Sequence, residues 1–402
     1  MKKLFLMLLC ITVLVCGCGS RQQPPAELNT PQTDEFELKG IWMSCYEMDF
    51  GGMSAGRLRL ELADRFSRMA DFGLNAVFVH VRANSDAFYP SAYFPWAKQL
   101  LSADGASPEY DPLKIMIDEA HKAGLEFHAW INPYRVSGVS MAAAELPDGC
   151  PAKEWLTDDN PDNDDWAVQA AGGIYYNPAI PEVQRLIVDG VREVAAYEVD
   201  GIHFDDYFYP TTDEAFDKTA YASYCADTHH PLPLPDWRRA NVSTLIAQVH
   251  AAAHAKGKCF GISPAADIST DGSDRNYCEL YADVTRWMQQ DGYVDYIAPQ
   301  LYFGFDYPAD HFTYDALIDT WCALPRRAGV KLYIGLAAYK IGSEDAGSDE
   351  WMRDTTILAK QTALARDKGC GGILVYSYDS FSKADFLFES QMANLREELA
   401  KQ

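Results

Sequence analysis

PEVQRLIVDGVREVAAYEVDGIHFDDYFYP, residues 181–210, runs from an amphipathic stretch straight into a strand-like run that ends in two carboxylates. Over 181–197 the apolar residues Val183, Leu186, Ile187, Val191 and Val194 recur at three- and four-residue steps, so they share one face of a helix. The segment 199–209 then starts apolar, as expected of a strand buried on both faces of a parallel sheet. The same helix and strand alternation repeats along the chain. Its other strand runs are GIWMSCY (40–46), NAVFVHVR (75–82), LEFHAWINPYR (125–135), CFGISPA (259–265), VDYIAPQLYF (294–303), KLYIGLAAY (331–339) and GILVYSYDS (372–380). With 199–209 this makes eight strand–helix units, and ADFLFESQMANLREELAKQ supplies a closing helix. The fold class expected is α/β, a (β/α)8 TIM barrel. A doubly wound open sheet is the rival, but it would carry a glycine-rich phosphate turn after its first strand, where this chain has SCYEMDF.

Ahead of the repeats, residues 1–17 open with Met-Lys-Lys and an apolar run too short to span a bilayer, the pattern of an export signal. Val15-Cys16-Gly17-Cys18 resembles a lipoprotein cleavage box with Cys18 as the lipidated residue. Residues 18–37 are polar and rich in Pro, Gln and Thr, a tether rather than a domain. Residues 38–402 form the barrel. The expected setting is therefore the bacterial cell envelope, with a membrane as partner through the lipid on Cys18 and a monomeric barrel beyond it.

The formal charge of −24 repels phosphate backbones, so nucleic acid is not an expected partner. Seven cysteines follow Cys18 without a C-x-x-C pair; most read as small buried hydrophobes, with disulfides involving Cys150, Cys225 or Cys278 left open.

Long connections at 83–111, 136–180 and 210–235 follow strands two, three and four at their C-terminal ends, the rim where barrel enzymes build their sites. They hold Tyr89, Tyr93, Trp96, Trp155, Trp166, Tyr175 and Tyr176, read as aromatic walls of a cleft. Polar residues crowd the same rim: His80 and Arg82; His128, Asn132, Tyr134 and Arg135; His203, Asp205 and Asp206; Gln300 and Tyr302; Tyr339; Tyr376 and Asp379. Within each strand the pairs share parity and so one face. Parity with His203 turns Asp205 inward and leaves Asp206 on the rim. Glycosidic cleavage needs an acid for the leaving oxygen and a second group to attack or stabilise the oxocarbenium-like centre, either another carboxylate or the substrate's own acetamido group. Asp86, Asp267 and Asp379 are the candidates for that second carboxylate. No cofactor or metal is expected. His250 and His254 stand at i and i+4, but without the glutamate of H-E-x-x-H and on a helix expected outside the barrel.

KGIWMSC, LNAVFVHVRANSDAFYPS, YDPLKIMIDEAHKAGLEFHAWINPYRV, YYNPAIPEVQRLIVDGVREV, YEVDGIHFDDYFYP, DWRRANVSTLIAQV, FGISP, VDYIAPQLYF and LYIGLAAYKIG, in that order, resemble the glycosyl-hydrolase-like family 10 barrels over about residues 39–388. The resemblance implies an exported or lipid-anchored barrel hydrolase of glycans, some members being similar to enzymes that cut peptide-stripped peptidoglycan strands. Asp205 and Asp206 are then the catalytic candidates. Arg82, Asp86, His128, Asn132, Tyr134, Arg135, His203, Gln300, Tyr302, Tyr339 and Tyr376 are the sugar-binding ones. A weaker similarity links VDGIHFDDYFYP to the D-G-x-D-x-D-x-E motif of family 18 chitinases, but Tyr207 stands where that motif has its glutamate. Two rival readings follow from the same residues: a glycan-binding barrel without catalysis, and a metal-dependent deacetylase or amidohydrolase.

Overall fold

The computed structural model describes residues 37–401 apart from Thr270 and Ala384, so the export signal, Cys18 and all of the tether but Glu37 lie outside the described residues. Eight parallel strands close into a barrel: β1 (Leu38–Met43), β2 (Ala76–Arg82), β3 (Glu126–Ile131), β4 (Gly201–Phe204), β5 (Cys259–Ile262), β6 (Tyr296–Ile297), β7 (Lys331–Ala337) and β8 (Gly372–Tyr376). Each pairs with the next, and β8 closes on β1 in a register running from Leu38 opposite Gly372 to Trp42 opposite Tyr376. Helices α1 (Ala55–Phe72), α2 (Pro112–Lys122), α3 (Pro181–Ala195), α4 (Leu234–His254), α5 (Val284–Gln289), α6 (Tyr314–Ala323), α7 (Ile357–Asp367) and α8 (Phe386–Leu399) follow the strands in turn. The eight expected units are therefore present. Among the described residues, no helix is long and apolar enough to cross a membrane.

Strand alternation separates two kinds of packing. Outward residues such as Ile41, Val77, Val79, Phe127, Ile202 and Phe260 meet Leu62, Phe66, Met116, Val183, Ile187 and Leu245 of the helices in one continuous apolar layer. Inward residues are mostly aromatic: Trp42, Phe78, Trp130, Tyr296 and Tyr333, with Leu374. His128 stacks on Phe78 and His203 on Tyr296 within this column. Such large rings fit because β4 and β5 give way: a Cβ on Gly201 would collide with the His128 ring, and one on Gly261 with Tyr296.

Two departures from the sequence reading bear on the site. Most strands stop earlier than their apolar runs suggest, β4 at Phe204 and β6 at Ile297, because Pro264 and Pro299 have no N–H to give and side chains take over the bonding. The second is a bulge in β2. His80 lies opposite Trp130 while Arg82 lies opposite Ile131, so one residue is skipped and the shared parity of His80 and Arg82 is broken.

The inserts after β2, β3 and β4 are found where expected. The second folds a three-stranded antiparallel sheet from Arg135–Ser137, Gly173–Tyr176 and Ala167–Ala170, so Arg135 belongs to this sheet and not to β3. Long connections also follow β5 and β7, at 263–283 and 338–356, and the first carries a short helix, Arg275–Cys278. All seven described cysteines are free thiols, Cys322 and Cys370 having their sulfurs 3.7 Å apart.

Candidate active site

A cleft of about 440 Å³ opens over the C-terminal ends of the strands. Asp205 and Asp206, the residues directly after β4, lie in its floor and are the only carboxylates among the described residues that line it. Asp205 is buried, 3% exposed. Its Oδ2 accepts a hydrogen bond from Trp130 Nε1 at 2.9 Å, both its oxygens lie 3.3–3.4 Å from Asn132 Nδ2, and Oδ1 accepts from the Tyr207 amide at 3.2 Å. Parity thus turns Asp205 inward, as its spacing from His203 implies. Asp206 is half-buried, beside Gln300.

Burial, then the neighbouring Asp206 charge, pushes the Asp205 carboxyl up to about 7, against the opposing pull of Arg135 and the Trp130 hydrogen bond. Burial also raises Asp206, but the Gln300 side chain and the charges of Arg275 and Arg135 hold it back. Both acids are thus raised by burial and opposed by donors and cations, Asp205 by Arg135, Trp130 and the Tyr207 amide, Asp206 by Gln300, Arg275 and Arg135.

Aromatic rings wall the cleft. Tyr302, Tyr339 and Tyr376 form a cluster with centroids 5.8–5.9 Å apart, and Trp42, Trp130, Tyr175 and Tyr207 complete the lining. Flat apolar rings with polar tips suit the faces and hydroxyls of a sugar. Arg135 stands behind Tyr207, its guanidinium 4.7 Å from the ring centre and its Nε donating to the Ala83 carbonyl. Asn132 positions both neighbours, since its Oδ1 accepts the Arg135 amide at 3.1 Å.

Asp205, Asp206, Asn132, Arg135, Gln300, Tyr302, Tyr339 and Tyr376 are therefore brought together. The others are not. Arg82, turned by the bulge, lies behind the sheet with its guanidinium 4.6 Å over Phe94 and against Gly190 of α3. Tyr134 is buried in the outer apolar layer. His128 and His203 sit deeper in the barrel; His203 accepts from Trp42 Nε1 at 3.2 Å and faces the Tyr296 hydroxyl at 3.1 Å, while His128 faces Glu126. No second carboxylate comes from the sequence candidates. Asp86 is buried in its own turn, accepting the Ala83 and Asn84 amides, Asp267 accepts the Arg275 amide, and Asp379 is exposed outside the lining. Trp155 packs on Trp166 at 5.1 Å and on Tyr176 at 5.5 Å, away from the cleft.

Sequence reasoning missed several lining residues. Trp130 was accessible to it, standing between His128 and Asn132 at the same parity. Arg275 and Leu280 come from the connection after β5, whose run of Asp, Ser and Gly from 267 to 274 is the signal of a further rim insert.

An eight-unit barrel whose C-terminal rim holds a carboxylate pair between aromatic walls has the architecture of the barrel glycosidases. Within that class the chain belongs to the glycosyl hydrolase-like 10 family, whose model matches residues 37–353. It is 37% identical over 345 residues to glycosyl hydrolase YngK of Bacillus subtilis, covering 80% of this chain and 65% of that protein, so it spans a little under two thirds of that relative. It is 34% identical over 384 residues to glycosyl hydrolase DigH of Escherichia coli strain K12, covering 86% of this chain and 85% of that one. Among solved structures, the PgaB (BpsB) glycoside hydrolase domain from Bordetella bronchiseptica aligns over 92% of this chain and 100% of its own, with a TM-score of 0.60 and 14% identity. The catalytic domain of a Paenibacillus polymyxa β-amylase aligns over 90% of this chain and 99% of its own, with a TM-score of 0.55 and 11% identity. At these identities the structural likeness is one of fold.

Proposed function

We propose that the protein hydrolyses glycosidic bonds between N-acetylated amino sugars, with peptide-free peptidoglycan strands as the leading substrate. The observation that carries this reading is that Asp205 and Asp206 are consecutive residues and, among the described residues, no other carboxylate lines the cleft. Two-carboxylate hydrolysis places its groups on either side of the scissile bond, about 5–5.5 Å apart for retention and about 6.5–9.5 Å for inversion. Neighbours at one strand end do not flank a bond in that way. A nucleophile from the substrate resolves this: the acetamido oxygen attacks the anomeric carbon while the enzyme supplies a proton and a negative charge. Asp205, carrying its proton near neutral pH, donates it to the leaving oxygen. Asp206, held by Gln300, accepts the acetamido N–H and, as its carboxylate, offsets the positive charge as it develops. The Tyr302, Tyr339 and Tyr376 cluster supports the sugar ring.

Arg275 on the cleft wall adds a reason for peptidoglycan without its peptides. Once the stem peptide is removed, the lactyl group of muramic acid ends in a free carboxylate, which a guanidinium binds well and an amide cannot replace. The lipid on Cys18 would then hold the enzyme in the envelope where such strands occur. Replacing Cys18 with Ser should release the protein from membranes, and a Cys18→Ser protein that stays membrane-bound would remove that part of the reading.

The function is tested by incubating the purified protein with peptide-free strands, peptide-bearing strands and chitin oligomers, followed by mass spectrometry of the products. New reducing ends on amino-sugar glycans are expected. Binding of all three without any new end would overturn the assignment.

A further inference from the structure

On the face of the barrel opposite the cleft, Asp295 stands directly before β6, under the last turns of α4. His254 Nε2 lies 3.1 and 2.9 Å from its two oxygens, and His250 Nε2 lies 3.7 Å from Oδ1. The two imidazoles stack with centroids 3.8 Å apart, so both present their Nε2 atoms to one carboxylate. The ligand atoms of the three side chains all fall within 4.8 Å of one another, the single such His, Cys, Asp or Glu group among the described residues.

Two units earlier the barrel supplies a comparison. Asp200 directly precedes β4, accepts the Phe127 amide at 2.7 Å and meets His121 Nε2 at 2.8 Å. Asp295 likewise accepts the Phe260 amide at 2.7 Å and meets His254. An aspartate, a strand amide and one histidine at a helix end are thus enough to tie helix to sheet. One turn before His121 the helix has Ile117, whereas one turn before His254 it has His250. The second imidazole goes beyond what that tie requires.

We propose that His250, His254 and Asp295 bind a divalent transition-metal ion of the zinc class, which staples α4 to the start of β6. Metal–ligand bonds of about 2.0–2.1 Å in a tetrahedron set neighbouring ligand atoms about 3.3 Å apart; the two histidine–aspartate separations are 2.9 and 3.7 Å, and all three ligand atoms lie within 4.8 Å of one another. Two neutral imidazoles and one carboxylate suit Zn²⁺, Ni²⁺ or Cu²⁺ better than Mg²⁺ or Ca²⁺, which prefer oxygen throughout. The Phe260 amide fixes the carboxylate from behind, the outer support that metal-bound carboxylates ordinarily have. The exposed edge of His254 leaves the fourth position to water. Its place at the N-terminal rim makes this a stabilising site with no part in the chemistry of the cleft.

Untagged full-length protein titrated with Co²⁺ should develop the visible absorption of tetrahedral cobalt, saturating at one equivalent and bleached by Zn²⁺. Zn²⁺ alone should raise Tm by roughly 3 °C or more at about 100-fold excess over its Kd. Both effects should vanish in His250→Ala, which leaves the His254–Asp295 tie intact, and should persist in His121→Ala. His250→Gln is measured alongside, in case the smaller side chain impairs folding. Absence of the cobalt spectrum in the wild-type protein, or its survival in the His250 variants, would overturn the proposal.

Discussion

The indole Nε1 of Trp130 donates to Asp205 Oδ2 at 2.9 Å, which fixes the orientation of the buried carboxyl. A carboxyl pKa raised in this way is typical of groups that transfer protons.

Asp205→Asn should lower the rate on natural glycan strands by about 10²–10⁴-fold, the usual loss when a general acid is removed. On an N-acetylglucosaminide with a nitrophenol leaving group, which departs without a proton, much of that loss should be recovered. Asp206→Asn should be slow on both substrates, because the acetamido group then lacks its orienting anion. Recovery in Asp206→Asn, with none in Asp205→Asn, would reverse the two roles.

The Asp205 carboxyl is pushed up to about 7 in the folded protein, against about 3.9 in the unfolded chain. A raised value means that the folded state binds the proton more tightly. The stability associated with it is complete below about pH 4 and is lost as pH rises through about 7. Asp205→Asn, which has no charge to bury, should therefore be more stable than the wild type at pH 8, by about 1–3 kcal/mol after loss of some hydrogen bonding. Denaturant midpoints at pH 8 and pH 4 check this, and a gap that widens at pH 4 would contradict it. Activity should fall over the same alkaline limb.

Arg275→Gln should weaken cleavage of peptide-free strands by about 10–100-fold through KM, the effect of losing a charged hydrogen bond. Cleavage of chitin oligomers, which carry no lactyl carboxylate, should change little. A uniform loss on both substrates would assign Arg275 to shaping the cleft.

Trp155→Ala and Trp166→Ala should lower stability by about 2–4 kcal/mol, because the two indoles pack on each other and Trp155 packs on Tyr176 as well. Glycan affinity should be retained at temperatures where the variants are folded. Tyr339→Ala, at a ring that is 43% exposed on the cleft wall, should do the opposite. Calorimetry paired with oligosaccharide titration distinguishes the two classes.

The barrel was legible because eight repeats of one apolar rhythm leave few other architectures. The carboxylate pair was legible too, since polar residues ending a buried strand have no packing reason to be there. What parity could not supply was the behaviour of the chain after the regular ladder ends. Arg82 illustrates this, because one skipped residue in β2 turned it from the axis to the helix layer. Trp155 and Trp166 show a second limit. Aromatic residues in a rim insert serve the insert's own small core before they serve a ligand, and composition does not distinguish the two uses. His128 and His203 show a third: this barrel fills its axis with rings and imidazoles instead of aliphatic side chains, so a polar residue facing inward need not reach the cleft.

His203 accepts the Trp42 N–H on Nε2, and burial holds its pKa well below the usual histidine range. Its one proton is therefore on Nδ1 and is given to the Tyr296 hydroxyl oxygen. From Trp42 through His203 to Tyr296 each donor points down the barrel, away from the carboxylates. The Trp42–His203–Tyr296 chain thus has a fixed polarity, whereas His128 in the same column, against the effect of burial, is raised to about 9 by Cys259 and Glu126. A pH–rate profile of the protein should then carry no limb from His203, and an inflection near 7 can be assigned to Asp205 and separated from that of His128 near 9.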